Sequence, residues 1–324
     1  MPRAIVVRTT GGPDVMKLEN IAAPKAPEAG QVLVRHTAIG VNYMDTYYRS
    51  GLYKAPRLPM IPGMEACGVI EAVGEGVKMK PGSRVVYGTS PVGSYCESRL
   101  INERYLVGVP DDISDEVAAA VFAKGLTAHY LLCRTYQVKK GDAILIHAAA
   151  GGVGQIMGQW AKMKGAKVIG TAGGAQKVSL AKECGYDYVI DYTSQDFVKE
   201  VERVTKGQGV TVVYDSVGKD TFAKSMQCLT NMGLLVSFGQ SSGAVPPLNI
   251  LSLSRKGIYV TRPSLLHYKA TKPELILSAI ELFNSLLSGD INVNISKKYK
   301  LEDAAQAHKD LENRNTTGSV ILTL

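Results

Sequence analysis

Residues 144–154, Ile-Leu-Ile-His-Ala-Ala-Ala-Gly-Gly-Val-Gly, decide the fold of this chain. Ile144–His147 has the apolar pattern of a buried strand, and the residues after the glycines have the pattern of a helix. The turn departs from the dinucleotide fingerprint Gly-x-Gly-x-x-Gly only at its first position, where Ala149 precedes Gly151 and Gly154. Such a turn lets a pyrophosphate approach the free N–H groups at the start of the helix. The stretch therefore predicts a dinucleotide site.

Strands and amphipathic helices alternate on the C-terminal side of this turn. An unbroken alternation of this kind is typical of a doubly wound α/β fold, in which helices cover both faces of a parallel sheet. In that context the glycine turn is a strong indication, whereas alone it would be an ordinary tight turn. Strands are predicted at Ala143–His147, Lys167–Thr171, Tyr188–Asp191, Val210–Asp215, Gly233–Phe238 and Gly257–Val260, and helices at Val153–Lys164, Ala175–Cys184, Asp196–Thr205 and Asp220–Leu229.

The residues after the second of these strands indicate which nicotinamide cofactor is bound. A site for NAD carries Asp or Glu about 20 residues beyond the glycine turn, but residues 169–177, Ile-Gly-Thr-Ala-Gly-Gly-Ala-Gln-Lys, contain no acid. Lys177 can meet a 2′-phosphate as a cation, and Tyr192 can add a hydroxyl. A merely solvated lysine would be unfavourable at this helix N-terminus because of the helix dipole. We therefore predict NADPH.

The chain on either side of this alternation has a different pattern. The first ~110 residues are β-rich, with short runs separated by Gly and Pro. The end of the chain predicts two helices and an apolar final strand. The segment 126–264 is thus predicted to be a cofactor-binding domain inserted into a second domain, made of residues 1–125 and 265–324. The flanking strands are predicted at Arg3–Arg8, Gln31–Ile39, Ala66–Val73, Arg84–Tyr87, Leu106–Val109 and Ser319–Leu324, and the helices at Lys272–Leu287 and Leu301–Asn313.

Composition narrows the class of protein. The 324 residues are 45% hydrophobic and 20% charged, which excludes a disordered chain. The net charge of +8 suits an anionic ligand, and its scattered distribution argues against nucleic-acid binding. The five cysteines form no Cys-x-x-Cys pair, and no apolar stretch is long enough for a signal peptide or a membrane span. We expect a cytoplasmic enzyme that does not enter membranes.

Two N-terminal segments, Gly-Val-Asn-Tyr-Met-Asp at 40–45 and Pro-Gly-Met-Glu-Ala-Cys-Gly at 62–68, make the chain resemble the medium-chain dehydrogenase/reductase superfamily. Zinc enzymes of that superfamily carry a cysteine where this chain has Asn42 and a histidine where it has Met64. Neither residue is a competent zinc ligand, and the four-cysteine structural lobe is missing as well. Glu65 remains, and we expect it to pair with a basic group inside the fold. The resemblance thus implies no metal, which argues against alcohol oxidation.

Longer segments narrow the resemblance to the NADPH:quinone oxidoreductases, the zeta-crystallin-like branch without zinc, and to its bacterial members in particular. They are residues 42–53, 124–128, 213–218 and 260–264. The resemblance implies a β-rich GroES-like catalytic domain around a six-stranded Rossmann sheet. It further implies a cofactor site of Asn42, Asp45, Tyr53 and Thr127 near the nicotinamide, Gly151, Gly152 and Val153 at the pyrophosphate, Gly173, Lys177 and Tyr192 at the 2′-phosphate, Ser216, Phe238, Gly239, Gln240, Thr261 and Arg262 along the rest of the cofactor, and Arg314 from the C-terminal segment.

The chemistry implied is the NADPH-dependent reduction of a quinone or a related unsaturated carbonyl compound in a cleft between the domains. Quinones accept electrons without metal assistance, so the protein supplies mainly orientation and hydrogen bonds. Asn42 can donate to a carbonyl oxygen, and Tyr47 or Tyr53 can deliver a proton. A packing role for each tyrosine is an equally good interpretation. Asp45 is expected to orient Tyr53 or a cofactor hydroxyl.

Two other functions remain compatible with the sequence. A reductase of enoyl-thioester or alkenal double bonds would use the same cofactor and a suitably placed acid. An NADPH-regulated RNA-binding or structural protein is the alternative of another class, although no aromatic and basic RNA platform is evident.

The five histidines are expected to be structural. Apolar strands at Val236–Ser242 and Lys256–Val260 predict a sheet edge that a second copy covers, giving a homodimer.

Overall fold

The computed structural model describes residues 1–89 and 91–324 of the chain. Within these ranges the backbone separates into two units: residues 1–124, 269–287 and 293–324 form the first, and residues 125–268 and 288–292 form the second. The strands in chain order are β1 (Arg3–Val7), β2 (Met16–Asn20), β3 (Gln31–Val41), β4 (Glu65–Val73), β5 (Arg84–Tyr87), β6 (Ser98–Asn102), β7 (Val107–Gly108), β8 (Ala143–Ile146), β9 (Lys167–Ala172), β10 (Tyr188–Asp191), β11 (Val210–Asp215), β12 (Leu229–Ser237), β13 (Tyr259–Thr261), β14 (Ile295–Lys300) and β15 (Ser319–Thr323).

The helices are α1 (Tyr43–Ser50), α2 (Asp115–Tyr130), α3 (Gly152–Met163), α4 (Ala175–Glu183), α5 (Phe197–Val204), α6 (Phe222–Cys228), α7 (Leu265–Tyr268), α8 (Lys272–Leu287) and α9 (Ala304–Glu312). A π-helical segment, Leu131–Thr135, continues α2. None of these helices is long and apolar enough to cross a membrane.

The second unit contains a six-stranded sheet in the order β10-β9-β8-β11-β12-β13. Every neighbouring pair is parallel, which confirms the predicted doubly wound sheet. Its strands are apolar on both faces because helices cover both: Leu145, Ile169 and Val213 are completely buried. The strand order reverses between β8 and β11, and ligands of such sheets bind beyond the carboxyl ends of the strands at this point.

Several element boundaries in this unit differ from the predicted ones. The last strand spans Tyr259–Thr261 instead of Gly257–Val260, and the strand expected to continue to Ser242 ends at Ser237. The helix predicted at Asp220–Leu229 spans only Phe222–Cys228, and the strand predicted from Gly233 begins already at Leu229. A register irregularity between Val210 and Val212 accompanies this early start.

The first unit contains a seven-stranded sheet in the order β14-β15-β3-β4-β5-β7, with β6 also paired to β3, and a separate β1–β2 hairpin. The last strand of the chain, β15, pairs antiparallel with β3, so that Val320 lies opposite Val41. The C-terminal segment therefore completes the sheet of the N-terminal segment. The same segments share one apolar core, which includes Ile39, Tyr95 and Leu322.

Helix α1 was not predicted from the pattern of apolar residues, although its ends carry local signals. Asn42 precedes the helix with extended backbone, and Asp45 stands at the position where a capping box places an acid. Gly51 ends it in the left-handed conformation, with φ of 86°. The residues between them are mostly polar or tyrosine, so the helix has no simple apolar stripe by which to recognise it.

Candidate active site

The glycine turn of the second unit is too crowded for side chains at one key position. A Cβ on Gly154 would lie 2.3 Å from the carbonyl oxygen of Ala148 and 2.8 Å from that of Ala149. Both obstacles are backbone atoms, so only glycine allows α3 to begin this close to β8. Gly151 precedes the first turn of α3 as its N-cap. The arrangement leaves the N-terminus of α3 open to a pyrophosphate.

The alanine at the first position of the fingerprint is accommodated by a glycine on the neighbouring strand. Ala149 is completely buried, and its N–H donates to the carbonyl of Thr171 over 2.9 Å. A Cβ on Gly170 of β9 would lie only 2.7 Å from the Cβ of Ala149. The absence of a side chain at residue 170 thus makes room for the alanine methyl group.

The predicted 2′-phosphate corner lies at the end of β9. Tyr192 packs over Gly173, where a Cβ would lie 2.6 Å from the tyrosine hydroxyl. Lys177 is half-buried in the first turn of α4. The nearby carboxylate of Asp191 accepts hydrogen bonds from the N–H of Gly174 and from Thr193, which lower its pKa. Oδ1 of this acid is therefore already engaged by the protein's own donors.

A buried hydrogen-bond network ties together the ends of β8, β9 and β11. His147 contacts the hydroxyls of Thr171 and Ser225, each over 2.9 Å. Ser225 donates to Asp215 over 3.2 Å, and the other oxygen of Asp215 accepts from the N–H groups of Val217 and Gly218. Burial lowers the pKa of His147, which keeps the ring neutral. The local hydrogen bond predicted for His147 is confirmed.

The parallel sheet places most of the predicted cofactor residues at one edge. They follow the carboxyl ends of the strands as Gly151, Gly152 and Val153 after β8, Gly173 and Lys177 after β9, Tyr192 after β10, Ser216 after β11, Phe238, Gly239 and Gln240 after β12, and Thr261 and Arg262 at the end of β13. Gly239 comes so close to Ser216 that a Cβ would lie 2.6 Å from the serine carbonyl oxygen. Thr127 lies instead on α2, and Arg314 follows α9 in the first unit.

In the first unit, the start of α1 is bound to a buried ion pair. The side-chain amide of Asn42 donates to Glu65 over 2.8 Å, and the Lys124 ammonium lies 3.2 Å from the same carboxylate oxygen. The second oxygen of Glu65 accepts from the N–H of Ala123 over 2.6 Å. The expected pairing of Glu65 with a basic group is confirmed. Since an amide carries two hydrogens, Asn42 has one left for a ligand.

Asp45 is enclosed by protein. One of its oxygens accepts from the N–H of Asn42 over 2.8 Å and from the hydroxyl of Tyr95 over 2.9 Å. Its other oxygen is buried without a hydrogen-bond partner. Burial raises the pKa of Asp45 to about 7. The roles predicted for Asp45 towards Tyr53 and the cofactor stay predictions.

The tyrosines of this segment form a cluster. The ring centroids of Tyr47 and Tyr53 are 5.1 Å apart, and those of Tyr48 and Tyr53 are 5.8 Å apart. Tyr47 is buried and Tyr53 is half-buried. The two tyrosines proposed as proton donors are thus in mutual contact.

Within the described ranges, 1–89 and 91–324, no three His, Cys, Asp or Glu side chains are grouped so as to hold a metal ion.

Comparison with known proteins identifies the family. The family model of the alcohol dehydrogenase GroES-like domain matches residues 28–141, and that of the zinc-binding dehydrogenases matches residues 152–281. The quinone oxidoreductase of Pseudomonas aeruginosa is 47% identical, with 99% of each chain aligned. The chain belongs to the quinone oxidoreductase family.

This membership confirms the resemblance and the fold class predicted from the sequence. The crystal structure of Escherichia coli quinone oxidoreductase complexed with NADPH aligns with a TM-score of 0.97 at 46% identity, covering 99% of this chain and 100% of that one. A 2-haloacrylate reductase of Burkholderia is 41% identical over 99% of both chains. The family therefore includes a reductase of an unsaturated acid as well as quinone reductases.

Sequence reasoning missed several residues that shape the site. Lys124, Tyr95 and His308 come from segments far from Asn42 along the chain, and of these only Lys124 stands in a segment that carries the family resemblance. Ser225 is likewise 78 positions from its partner His147. Only Asp45, three residues after Asn42, carried a local signal, as the acid of a capping box.

Proposed function

We propose that this protein reduces quinones with NADPH and without a metal ion. The proposal is supported by the edge of the parallel sheet, where the glycine turn opens onto a helix N-terminus and Lys177 lies in the first turn of the helix that follows β9. Bound there, NADPH would supply the hydride. The relative solved with NADPH supports this choice of cofactor.

Cofactor binding and catalysis are assigned to different parts of the chain. We assign residues 126–264 to cofactor binding and residues 1–125 with 265–324 to catalysis. Asn42 keeps one amide hydrogen for a carbonyl oxygen, and its position is held by Glu65 and Asp45. Tyr47 and Tyr53 are the proposed proton source, since their phenol groups share one cluster. No disulfide joins the five cysteines in the part of the chain that the structure describes, which supports a reducing, cytoplasmic setting.

The first test measures oxidation of NADPH by the purified protein in the presence of a chelator, with 9,10-phenanthrenequinone and 1,4-benzoquinone as acceptors. We expect rapid turnover with NADPH, slow turnover with NADH and no effect of the chelator. Replacing Lys177 by alanine should raise KM for NADPH about 10- to 100-fold, because a charge-assisted hydrogen bond is lost, and leave KM for NADH unchanged.

Lys182→Ala provides the matched control, because this exposed lysine lies at the other end of the same helix. It should change neither KM. Equal losses with both cofactors in Lys177→Ala would contradict the 2′-phosphate assignment.

Reduction of an activated double bond is the second candidate function, favoured by the identity with 2-haloacrylate reductase. This reaction would use the same cofactor site, and the tyrosine cluster would protonate the carbon atom next to the carbonyl group. Parallel assays with 2-haloacrylate and a 2-enoyl thioester separate the two functions. Turnover of these substrates without any quinone turnover would replace the first proposal.

We also propose that two copies pair through β13. This strand is the last of its sheet, and Tyr259 on it is 62% exposed. Met232 beside it is 71% exposed, and Ile250 and Leu251 are exposed as well. Pairing of two such edges across a two-fold axis would cover them. Sedimentation at micromolar concentration should give a dimer, and Tyr259→Lys should give a monomer. A monomer before any substitution would contradict this.

A further inference from the structure

A buried chain of polar side chains runs between α9 and the start of α1. Arg49 forms a double salt bridge with Glu312, with contacts of 2.5 and 3.0 Å. Its guanidinium lies 3.4 Å from Nδ1 of His308. Nε2 of His308 lies 3.0 Å from the hydroxyl of Tyr95, which in turn lies 2.9 Å from Asp45. All four residues from Arg49 to Asp45 are buried.

The chemistry of these groups assigns a direction to the hydrogen bonds. A guanidinium can only donate, so Nδ1 of His308 must accept from Arg49. Burial and the neighbouring Arg49 lower the pKa of His308 to about 3, so the ring is neutral and its single hydrogen sits on Nε2. His308 therefore donates to Tyr95, and Tyr95 donates to Asp45. Three donors in sequence end on one carboxylate oxygen.

That oxygen also accepts from the backbone N–H of Asn42. We propose that Tyr95 and His308 are positioning residues, which hold Asp45 and through it the Asn42 end of α1 in the geometry that the reaction needs. Neither residue is a ligand contact. Their link to turnover rests on the proposed reduction of quinones, whereas their link to Asp45 stands on the hydrogen bonds alone.

The charges around Asp45 determine how its pKa changes when this series of hydrogen bonds is interrupted. Burial raises the pKa of Asp45 and Glu65 adds to the rise, while Asn42, Tyr95 and Lys124 oppose it, so that the pKa lies at about 7. Removal of the Tyr95 hydroxyl takes away a donor to the charged form, so the pKa of Asp45 rises. The folded protein then holds the Asp45 proton to higher pH.

The sign of the effect on stability follows from linkage. Because the pKa of Asp45 is higher in the folded protein than in the unfolded chain, its contribution to stability is fully present below the ordinary value of 3.8 and is lost as the pH rises to about 7. The pH dependence of unfolding, compared with that of Asp45→Asn, isolates this loss from other groups. This readout does not involve NADPH or a quinone.

The experiment compares two buried Tyr–His pairs of the same unit. Tyr95→Phe should move the upper end of this pH window, and the midpoint in the pH profile of kcat/KM, upward by about one pH unit. Tyr87→Phe is the control: Tyr87 contacts Nε2 of His36 over 2.8 Å, and Nδ1 of that ring contacts the carbonyl of Cys96. It should move neither midpoint.

A second pair of variants decides the matter if Tyr95→Phe does not fold. His308→Leu should produce a smaller upward shift, because Tyr95 still donates to Asp45 but loses the donor that holds its hydroxyl. His308→Gln, which keeps a donor and an acceptor, should restore the original midpoint. A lower stability without any change of midpoint, or an equal shift in Tyr87→Phe, would overturn the proposal. If the pH dependence of unfolding shifts but the protein turns over no quinone, the hydrogen bonds to Asp45 are supported and only the proposed function is rejected.

Discussion

Replacing Lys124 by methionine lowers the free energy of unfolding by about 3–5 kcal/mol, the cost of leaving a buried charge without its partner. Lys124 is 6% exposed and Glu65 is fully buried. The remaining donors to Glu65, from Asn42 and Ala123, are neutral amides. They cannot replace the positive charge, so the carboxylate would stay desolvated and uncompensated.

Urea unfolding at neutral pH measures this effect. The control is Lys162→Met, because Lys162 pairs with Asp187 at the surface, where the two side chains are 52% and 31% exposed. That substitution should cost less than about 1 kcal/mol. Adding Glu65→Gln to Lys124→Met should recover part of the loss. Equal losses from the two lysines would show that the Glu65 pair is not held out of water.

Gly154→Ala is expected to disrupt the cofactor site more than any other small substitution in the glycine turn. The new methyl group would meet the carbonyl oxygen of Ala148 at 2.3 Å, and a backbone atom cannot rotate aside. Overpacking of this kind costs about 1–3 kcal/mol and shifts backbone. The start of α3 would move away from β8, so NADPH affinity should fall about tenfold or more.

Fluorescence titration with NADPH, together with thermal unfolding, measures both consequences. Gly108→Ala is the matched control, because a Cβ there meets nothing within 4 Å and the backbone needs no positive φ. It should change stability by no more than about 0.5 kcal/mol. Normal NADPH binding by Gly154→Ala would contradict the assignment of this turn to the pyrophosphate.

The parallel sheet, its glycine turn and the family were all predictable from the order of the residues. Local sequence patterns specify these features, because a buried parallel strand is a short apolar run and a pyrophosphate-binding turn needs glycine at set spacings. Because the strands are parallel, their carboxyl ends meet at one edge. Gly151, Ser216 and Thr261, which the resemblance assigns to one cofactor site, follow or end strands at that edge.

The contacts that hold the start of α1 depend on the packing of segments that are distant along the chain. Asp45 and Tyr95 are 50 positions apart, Tyr95 and His308 are 213 apart, and Glu65 and Lys124 are 59 apart. No local pattern specifies such pairs, because each depends on which segments the core packs side by side. Burial then changes what the residues do: it keeps His308 neutral and raises the pKa of Asp45 to about 7. Desolvation is a property of the packed fold, so these protonation states cannot be read from the order of the residues.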